Sequence, residues 1–275
     1  MEYLKWSINK NENKGYTTNK NLVENYIDSD ASELMDKYTQ IDENGVKYIL
    51  NSIIDSRTIF QGLGVDLGGG ICLISSVLEK NFPLKNIFCI EIVEEAIKHC
   101  HKKIQKFILG KQSEKILSVN GSFDKMNIDS NTVDFIIAWD SLHHSDNVKN
   151  TLQECYRILK KNSFFVVVDK VHNNSTPDME IERMLNFQYD KKFLKNNFLD
   201  ENLILKRSDE GEHEYRFFEW EKFFKENNFE IIQNYIIKTN MENSLKNDNN
   251  LNEILVDFNV GGFQQQKVIY VLKKI

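Results

Sequence analysis

Three consecutive glycines follow a short apolar run in the segment GVDLGGGIC, residues 64–72. Because glycine has no Cβ, the backbone N–H groups of Gly68, Gly69 and Gly70 can approach a bound ligand closely. Nucleotide-containing cofactors of several kinds are held by such a loop between a strand and a helix. The segment is therefore a candidate cofactor-binding loop, and a simple tight turn is its structural alternative.

A carboxylate just before the glycines narrows the choice of ligand. Asp66 lies near the end of the predicted strand, where the pyrophosphate of a dinucleotide would carry a charge of the same sign. At a separation of about 4 Å, like charges repel by about 1 kcal/mol in water and about 4 kcal/mol at an effective dielectric constant of 20. A cationic ligand, such as the ammonium and sulfonium groups of S-adenosylmethionine, is favoured there instead. The chain has no GxxxxGK[ST] sequence, which excludes a P-loop.

A second acid ends the next apolar run, NIFCIEI. Glu91 follows Gly70 by 21 residues, at the spacing where a carboxylate can accept hydrogen bonds from both hydroxyls of a ribose. The alternative is a solvated acid at the end of a strand. Combined with Asp66 and the glycines, the spacing predicts that Glu91 binds a ribose.

Apolar runs of strand length alternate with amphipathic helical segments through the middle of the chain. Strands are predicted at residues 64–67, 86–92, 133–139, 164–168, 229–237 and 267–272. Short apolar runs without polar alternation are typical of strands that are buried on both faces. Because residues 95–108 and 152–159 have helical periodicity, we expect an α/β sheet with right-handed crossovers and helices on both faces.

Two further helical segments lie outside this alternation. The chain is predicted to be a single domain with a helical cap over residues 1–56, a cofactor-binding core over 57–171, an insertion over 172–216 and a closing helix and strands over 217–275. Ligands of such sheets bind beyond the C-terminal ends of the strands. The cap and the insertion are therefore expected to close over the site as a lid.

The segment that carries these motifs, roughly residues 60–170, resembles the class I S-adenosylmethionine-dependent methyltransferases. The family's first motif corresponds to VDLGGG, with Cys72 where a third spaced glycine often stands. The resemblance implies a Rossmann-like, doubly wound, mostly parallel seven-stranded sheet. It also implies S-adenosyl-L-methionine as cofactor and S-adenosyl-L-homocysteine as product. The cofactor contacts that it implies are Asp66, Leu67, Gly68, Gly69, Gly70, Glu91, Ser122, Phe123 and Trp139, with Ser122 and Phe123 beside the adenine.

The segment WDSLHH, residues 139–144, is similar to a stretch of the small-molecule and quinone methyltransferases. The Asn-Pro-Pro-Tyr and Pro-Cys motifs of base-modifying relatives are absent, which disfavours methylation of nucleic-acid bases. His143 and His144 are candidate catalytic bases, because an imidazole can accept a hydroxyl proton at neutral pH. Asp140 is a competing base or a partner for the amino group of the cofactor. The structural alternative is that one histidine only caps the following helix.

Three residues near the same edge of the sheet are candidates for binding the acceptor. Asp169 and His172 follow the next strand, and Arg216 precedes the late helix. The planar fork of Arg216 suits a phosphate or carboxylate on the acceptor. The alternatives are a loop-capping role for Asp169 and an ion pair of Arg216 with Glu212 or Glu214.

The composition of the 275-residue chain bears on its environment. Its net charge of −6 offers no electrostatic reason to expect nucleic acid or an anionic membrane as a partner. No apolar run approaches the roughly 18 residues of a membrane helix, and no signal peptide is evident. Four cysteines without a CxxC pair predict a reducing cytoplasm. His99 and His101 differ by two positions on a helix and face apart, so no metal site is predicted.

The sequence thus predicts a cytoplasmic enzyme that transfers a methyl group from S-adenosylmethionine to an oxygen or nitrogen of a small-molecule acceptor. Two alternatives use the same fold. One transfers an aminopropyl group from a form of the same cofactor, and the other is a catalytically silent module that binds the cofactor or a partner. The sequence predicts neither the identity of the acceptor nor the oligomeric state.

Overall fold

The computed structural model describes residues 2–8, 16–39, 41–239, 253–256 and 266–275. The strands in these ranges are β1 (Leu4–Lys5), β2 (Gly62–Leu67), β3 (Leu84–Glu91), β4 (Ile116–Asn120), β5 (Val133–Trp139), β6 (Leu159–Val171), β7 (Phe229–Thr239), β8 (Glu253–Val256) and β9 (Gln266–Lys274). The helices are α1 (Tyr16–Asn25), α2 (Ala31–Tyr38), α3 (Glu43–Ser52), α4 (Ser56–Ile59), α5 (Leu73–Asn81), α6 (Glu94–Ala96), α7 (Lys102–Leu109), α8 (Val148–Ile158), α9 (Asp178–Leu185), α10 (Lys191–Asn196) and α11 (Phe217–Glu226).

All of the described strands belong to one sheet, in the order β1-β4-β3-β2-β5-β6-β9-β7-β8. The pairs from β1 to β6 are parallel, whereas β9 lies antiparallel between β6 and β7. The predicted doubly wound, mostly parallel sheet is confirmed. The strand count differs from seven, because the short strands β1 and β8 extend the two edges of the described sheet.

The apolar pattern predicted six of these strands and missed three. Strand β4 has only five residues, and polar side chains at Ser118 and Asn120 interrupt its apolar pattern. Strand β1 lies in the segment predicted to be a helical cap, where Leu4 and Lys5 pair with the end of β4. Two-residue strands and short edge strands leave too few positions for a periodicity to be recognised.

Helices cover both faces of the sheet and bury two apolar layers. On one face α3, α5 and α7 pack on the sheet, and on the other α8 and α11 do so. Aspartates begin two of the cap helices: Asp30 accepts the N–H of Glu33 for α2, and Asp42 accepts that of Gly45 for α3. The predicted helix over 95–108 is present but contains a π-helical turn, Ile97–His101.

The strand order reverses between the parallel neighbours β2 and β5. The connection after β2 leads toward one edge of the sheet, and the connection after β5 leads toward the other. The parallel strands β2, β3, β4 and β5 all end at the same edge, so the loops that follow them meet there. Ligands of open α/β sheets bind at such a switch point. In the described part of the chain, no helix has the length and apolar character that crossing a membrane requires.

Candidate functional site

The glycine loop after β2 is closely packed from behind. Gly68 and Gly70 have positive φ angles of 70° and 51°, which glycine adopts without strain. A Cβ added at Gly69 would lie 2.2 Å from the sulfur of Cys89, and one at Gly68 would lie 2.5 Å from the Cβ of Ser141. The loop therefore requires glycine for its backbone conformation and for its contact with the residues behind it.

Asp66 lies beneath this loop and is almost completely buried. Its Oδ2 accepts a hydrogen bond of 2.7 Å from the hydroxyl of Ser75. Its Oδ1 is buried and has no hydrogen-bond partner in the described part of the chain. Burial raises the pKa of Asp66 to about 6, although the Ser75 hydrogen bonds oppose this shift. A cation at the loop would stabilise this carboxylate.

Glu91 ends β3 beside the glycine loop. Its Oε2 accepts the N–H of Gly70 at 2.9 Å, and its Oε1 accepts the N–H of Val93 at 2.7 Å. Burial raises the pKa of Glu91, and these backbone hydrogen bonds oppose that effect. A carboxylate offers about four acceptor positions, so two remain for ribose hydroxyls.

A cavity of about 260 Å³ opens along the edge where these strands end. Its walls are the glycine loop, Glu91, the loop 121–124 after β4 and the loop 140–146 after β5. Ser122 and Phe123 lie in this wall. A neighbouring cavity of about 110 Å³ shares the glycine loop and includes Trp139. The sequence-predicted Leu67 is buried behind the loop, where its carbonyl oxygen accepts the Ser141 hydroxyl at 2.6 Å.

Helices α1 and α2 contribute two residues that the sequence pattern did not single out, Asn19 and Tyr38. Tyr38 lines both cavities, and a Cβ added at Gly70 would lie 3.2 Å from its ring. Burial, followed by the charge of Glu91, raises the pKa of the Tyr38 phenol well above its ordinary value. The phenol therefore stays protonated. Only the folding of α2 against the loop brings this residue to the site.

Asp140 begins the loop after β5 and has a positive φ of 52°. Its Oδ2 accepts a hydrogen bond of 2.6 Å from Nζ of Lys267. Burial acts to raise its pKa, but the charges of Lys267 and His143 hold the pKa below its ordinary value. Asp140 is therefore a stable carboxylate in the cavity wall and a weak base.

The two adjacent histidines occupy different positions. His143 is buried, and its Nδ1 donates to Oδ1 of Asp169 at 2.6 Å. His144 lines the 260 Å³ cavity, and its Nδ1 donates to the carbonyl oxygen of Gly211 at 3.3 Å. Burial, followed by the charge of His143, lowers the pKa of His144 to about 4. At neutral pH His144 therefore presents an uncharged imidazole to the cavity, with Nε2 as its acceptor atom.

A family model described as "Methyltransferase domain" matches residues 65–167, which run from the glycine loop through most of β6. This match over part of the chain supports the predicted class I S-adenosylmethionine-dependent methyltransferase fold. Its sequence is 29% identical over 73 residues to sarcosine/dimethylglycine N-methyltransferase from Aphanothece halophytica. The match covers 26% of this chain and 26% of that relative, so the alignment spans about a quarter of the relative's length.

Solved structures share the fold over most of the chain. A protein assigned as an S-adenosyl-L-methionine-dependent methyltransferase from Methanococcus maripaludis is 19% identical, with a TM-score of 0.54 and coverage of 98% of this chain and 96% of that one. Geranyl diphosphate methyltransferase in complex with SAM is 11% identical, with a TM-score of 0.58 and coverage of 89% and 90%. At these identities the likeness concerns the fold.

The three predicted acceptor-binding residues lie outside the walls of the two cavities. Asp169 is completely buried, and its Oδ2 also accepts the backbone N–H of His143 at 3.2 Å. His172 is buried, and its Nε2 lies 2.6 Å from Oε2 of Glu214. These two side chains support the site from behind, because their polar atoms are bonded within the protein.

Arg216 is also bonded within the protein. Its Nε donates to the carbonyl oxygen of Thr176 at 2.7 Å, and its guanidinium pairs with Asp178 and Glu219. The expected alternative, an ion pair with Glu212 or Glu214, is replaced by these partners. Arg216 therefore ties the start of α11 to the start of α9, and the guanidinium faces protein carboxylates.

A buried ion cluster joins the end of β6 to the insertion, and the sequence did not predict it. Lys170 and Arg207 each pair with Glu212 and Glu214. Burial opposes ionisation of Glu212, but the charges of Lys170 and His143 hold its pKa far below the ordinary value. Oε2 of Glu212 lies 3.8 Å from Nε2 of His143. The cluster thus places a permanent negative charge beside the two histidines.

Groups of residues with metal-ligand chemistry also occur near the site. The groups are His143, His144 and Glu212; Asp140, His143 and Asp169; and Cys72, Cys89 and His101. Glu212 is held by two cations, His143 by Asp169 and His101 by two hydrogen bonds. Because these ligand atoms are already bonded within the protein, we assign no metal to them.

Proposed function

We propose that this methyltransferase transfers the methyl group of S-adenosylmethionine to an oxygen or nitrogen of a small-molecule acceptor. The observation that carries the proposal is the uncharged imidazole of His144 in the same cavity as the glycine loop and Glu91. In this proposal the bound cofactor and the acceptor would share that cavity.

The residues of the cavity fit the proposed cofactor. Glu91 would hold the ribose, Ser122 and Phe123 the adenine, and the glycine loop, with Asp66 buried beneath it, the methionine moiety. The unpartnered Oδ1 of Asp66 is the feature that favours a cationic ligand, because a buried carboxylate oxygen without a partner costs free energy. When bound, S-adenosylmethionine supplies a methyl group on a sulfonium, which is already an activated leaving group.

His144 is proposed to receive the acceptor. Because its Nδ1 donates to Gly211, Nε2 can accept a hydrogen bond from an O–H or N–H of the acceptor. This contact would orient the lone pair of the nucleophile, and orientation and proximity can supply about 7–11 kcal/mol of a barrier. If the acceptor must lose a proton, the same atom is the base, a role that contributes about 10²–10⁴-fold.

Glu212 is proposed to support that proton transfer without touching the acceptor. Its negative charge acts to raise the pKa of His144, whereas His143 acts to lower it. An imidazolium formed at His144 would therefore be stabilised by a carboxylate that Lys170 and Arg207 keep ionised. Glu212 is a positioning residue in this proposal.

A small amine or alcohol is the acceptor class that we favour. Large parts of the cavity wall are polar loop residues, and Asn19, Asp140 and His144 offer hydrogen bonds beyond the glycine loop. The partial relative is named for sarcosine and dimethylglycine, which are small amines. A protein from Galdieria sulphuraria assigned the same substrates shares the fold, at 20% identity and a TM-score of 0.52.

Two measurements test the proposal. Isothermal titration calorimetry should show binding of S-adenosylmethionine at micromolar to low millimolar concentration, and no binding would refute it. Incubation of the protein with a metabolite extract and isotopically labelled methyl donor should then yield a labelled small molecule. A product that gains a larger group than methyl would support aminopropyl transfer, and binding without any product across extracts would support a silent module.

A further inference from the structure

The peptide units of Gly70 are held from two sides. The N–H of Gly70 donates to Oε2 of Glu91 at 2.9 Å. Its carbonyl oxygen accepts a hydrogen bond of 3.0 Å from Nε2 of His101. The first bond involves a residue of the recognised cofactor motif, whereas the second comes from a helix that no motif covers. The carbonyl bond fixes the plane of the peptide that joins Gly70 to Ile71.

His101 is constrained to donate this hydrogen bond. The side chain is completely buried, and Nδ1 lies 2.8 Å from the hydroxyl of Ser118 on β4. Because a carbonyl oxygen only accepts, the proton of the neutral ring is on Nε2, and Nδ1 accepts the Ser118 hydroxyl. His101 is the last residue of the π-helical turn Ile97–His101. Such turns insert an extra residue into a helix and frequently lie at functional sites.

The orientation of the Gly70 carbonyl determines where the next N–H points. The described chain has no cis peptide bond, so the C=O of Gly70 and the N–H of Ile71 point in opposite directions. With the carbonyl facing His101, the N–H of Ile71 faces away from it. Ile71 lines the 110 Å³ cavity together with Tyr38 and the three glycines.

The N–H of Ile71 has no hydrogen-bond partner among the residues that the structure describes. Ile71 is also only 1% exposed. Buried backbone N–H groups without a partner are rare in native proteins, because an unpaired donor costs free energy. An N–H just before the first turn of α5 is moreover in a position that favours a negatively charged ligand group.

We propose that His101 is a positioning residue of the cofactor site, which holds the Gly70 carbonyl so that the N–H of Ile71 binds the carboxylate of the cofactor's methionine moiety. The inference rests on the proposed function, because it assumes that S-adenosylmethionine is the ligand. It adds His101, which lies outside the glycine motif, to the cofactor site. It also links this residue to binding of the methionine carboxylate.

The test compares two ligands that differ only in the part assigned to His101. S-Adenosylhomocysteine carries the amino acid moiety, and 5′-methylthioadenosine keeps the nucleoside and sulfur without it. We expect His101→Phe, which removes the donor, to weaken binding of S-adenosylhomocysteine tenfold or more in calorimetry. Binding of 5′-methylthioadenosine should stay within about twofold of the unsubstituted protein.

Two further variants keep the test decisive. Ser118→Ala removes the partner of Nδ1 of His101 and frees the ring to change tautomer. This variant should therefore also weaken binding of S-adenosylhomocysteine alone, by about threefold. It also serves if His101→Phe does not fold, which thermal unfolding would show. The matched control is His99→Phe, on the same π-helical turn, which should leave both affinities unchanged.

The outcomes separate this inference from the proposed function. If the unsubstituted protein binds neither ligand, the proposed function fails, and the inference fails with it. If the unsubstituted protein binds both, but the His101 and Ser118 variants weaken both equally or neither, the positioning role is wrong. A loss confined to S-adenosylhomocysteine supports it, because a general loss of structure would weaken the two ligands alike.

Discussion

Nδ1 of His143 lies 2.6 Å from Oδ1 of Asp169, and the other oxygen of this carboxylate accepts the backbone N–H of the same histidine. The pair ties the loop after β5 to the end of β6 in a completely buried setting. The ring of His143 then packs against that of His144, with centroids 4.1 Å apart. One buried carboxylate thus helps to fix the imidazole that faces the cavity.

Asp169→Asn should destabilise the protein, because an amide offers one acceptor oxygen where the carboxylate offers two. We expect the free energy of unfolding to fall by about 1–3 kcal/mol, measured by urea denaturation at pH 7.5. Asp36→Asn, at an exposed position on α2, is the matched control and should change it by less than about 0.5 kcal/mol. Equal stabilities of the two variants would contradict this account of Asp169.

His144→Ala should lower turnover about 10²–10⁴-fold while the affinity for S-adenosylmethionine stays the same. The reason is that His144 contacts the acceptor in the proposed site, whereas the cofactor is held by other residues. Initial rates with an acceptor from the labelling screen and calorimetry with the cofactor measure the two effects. Unchanged turnover would remove His144 from the mechanism.

The pKa of His144, lowered to about 4, predicts the form of the pH profile. The unprotonated ring is the active form, so kcat/KM for the acceptor, measured at saturating cofactor, should lack the rise between pH 6 and 7 that an ordinary histidine gives. The rate should fall only as the pH approaches 4. A rise centred near pH 6.5 that His144→Ala abolishes would show that the ring is an ordinary histidine in solution.

Asp66→Asn should have opposite effects on stability and on cofactor binding. Burial raises the pKa of Asp66 to about 6, so the folded state binds a proton more tightly than the unfolded state. The Asp66 contribution to stability is therefore favourable at low pH and is lost as the pH rises from about 4 to 6. At pH 7.5 the amide should raise the free energy of unfolding, by at most about 3 kcal/mol.

The same variant should bind S-adenosylmethionine at least tenfold more weakly, because the charge that favours a cationic ligand is gone. Thermal unfolding with and without the cofactor measures both effects in one experiment. Ser32→Ala, at an exposed site on α2, is a control for the substitution of a polar side chain. Retained affinity in Asp66→Asn would show that the charge of Asp66 does not select the ligand.

Glu214→Gln should make the free energy of unfolding less dependent on pH under acidic conditions. Burial alone would raise the pKa of Glu214, but the hydrogen bond from His172 and the charge of Lys170 lower it to about 2. A depressed carboxyl pKa stabilises the fold above pH 4.5, and this contribution is lost as the pH falls toward 2. The variant should lose about 3 kcal/mol at pH 7 and much less at pH 2.5.

Urea denaturation at several pH values checks the Glu214 prediction. The matched control is Glu226→Gln at an exposed site of α11, whose weak pair with Lys222 should change stability by less than about 1 kcal/mol. If Glu214→Gln kept the full acid dependence of the unsubstituted protein, the buried ion cluster would not be the source of that dependence.

The alternating strands and helices could be predicted because each carries its own local pattern. Strands β2, β3, β5 and β6 each contain a short apolar run, and the first three lead to the glycine loop, Glu91 and Asp140 respectively. Strand β4 was missed because two polar residues break its short pattern. The π-helical turn before α7 was missed because one extra residue hardly alters a helical periodicity.

The amino-acid sequence by itself determined the sheet, the glycine loop and the acids that end its strands, because backbone freedom, charge and apolar period are local properties. Only the tertiary structure decided which of two adjacent histidines faces the cavity, and that Asp169, His172 and Arg216 are bonded within the protein. It also decided that Tyr38 and His101 reach the glycine loop. These contacts join residues of different elements that are at least 26 positions apart, and no pattern along one segment encodes them.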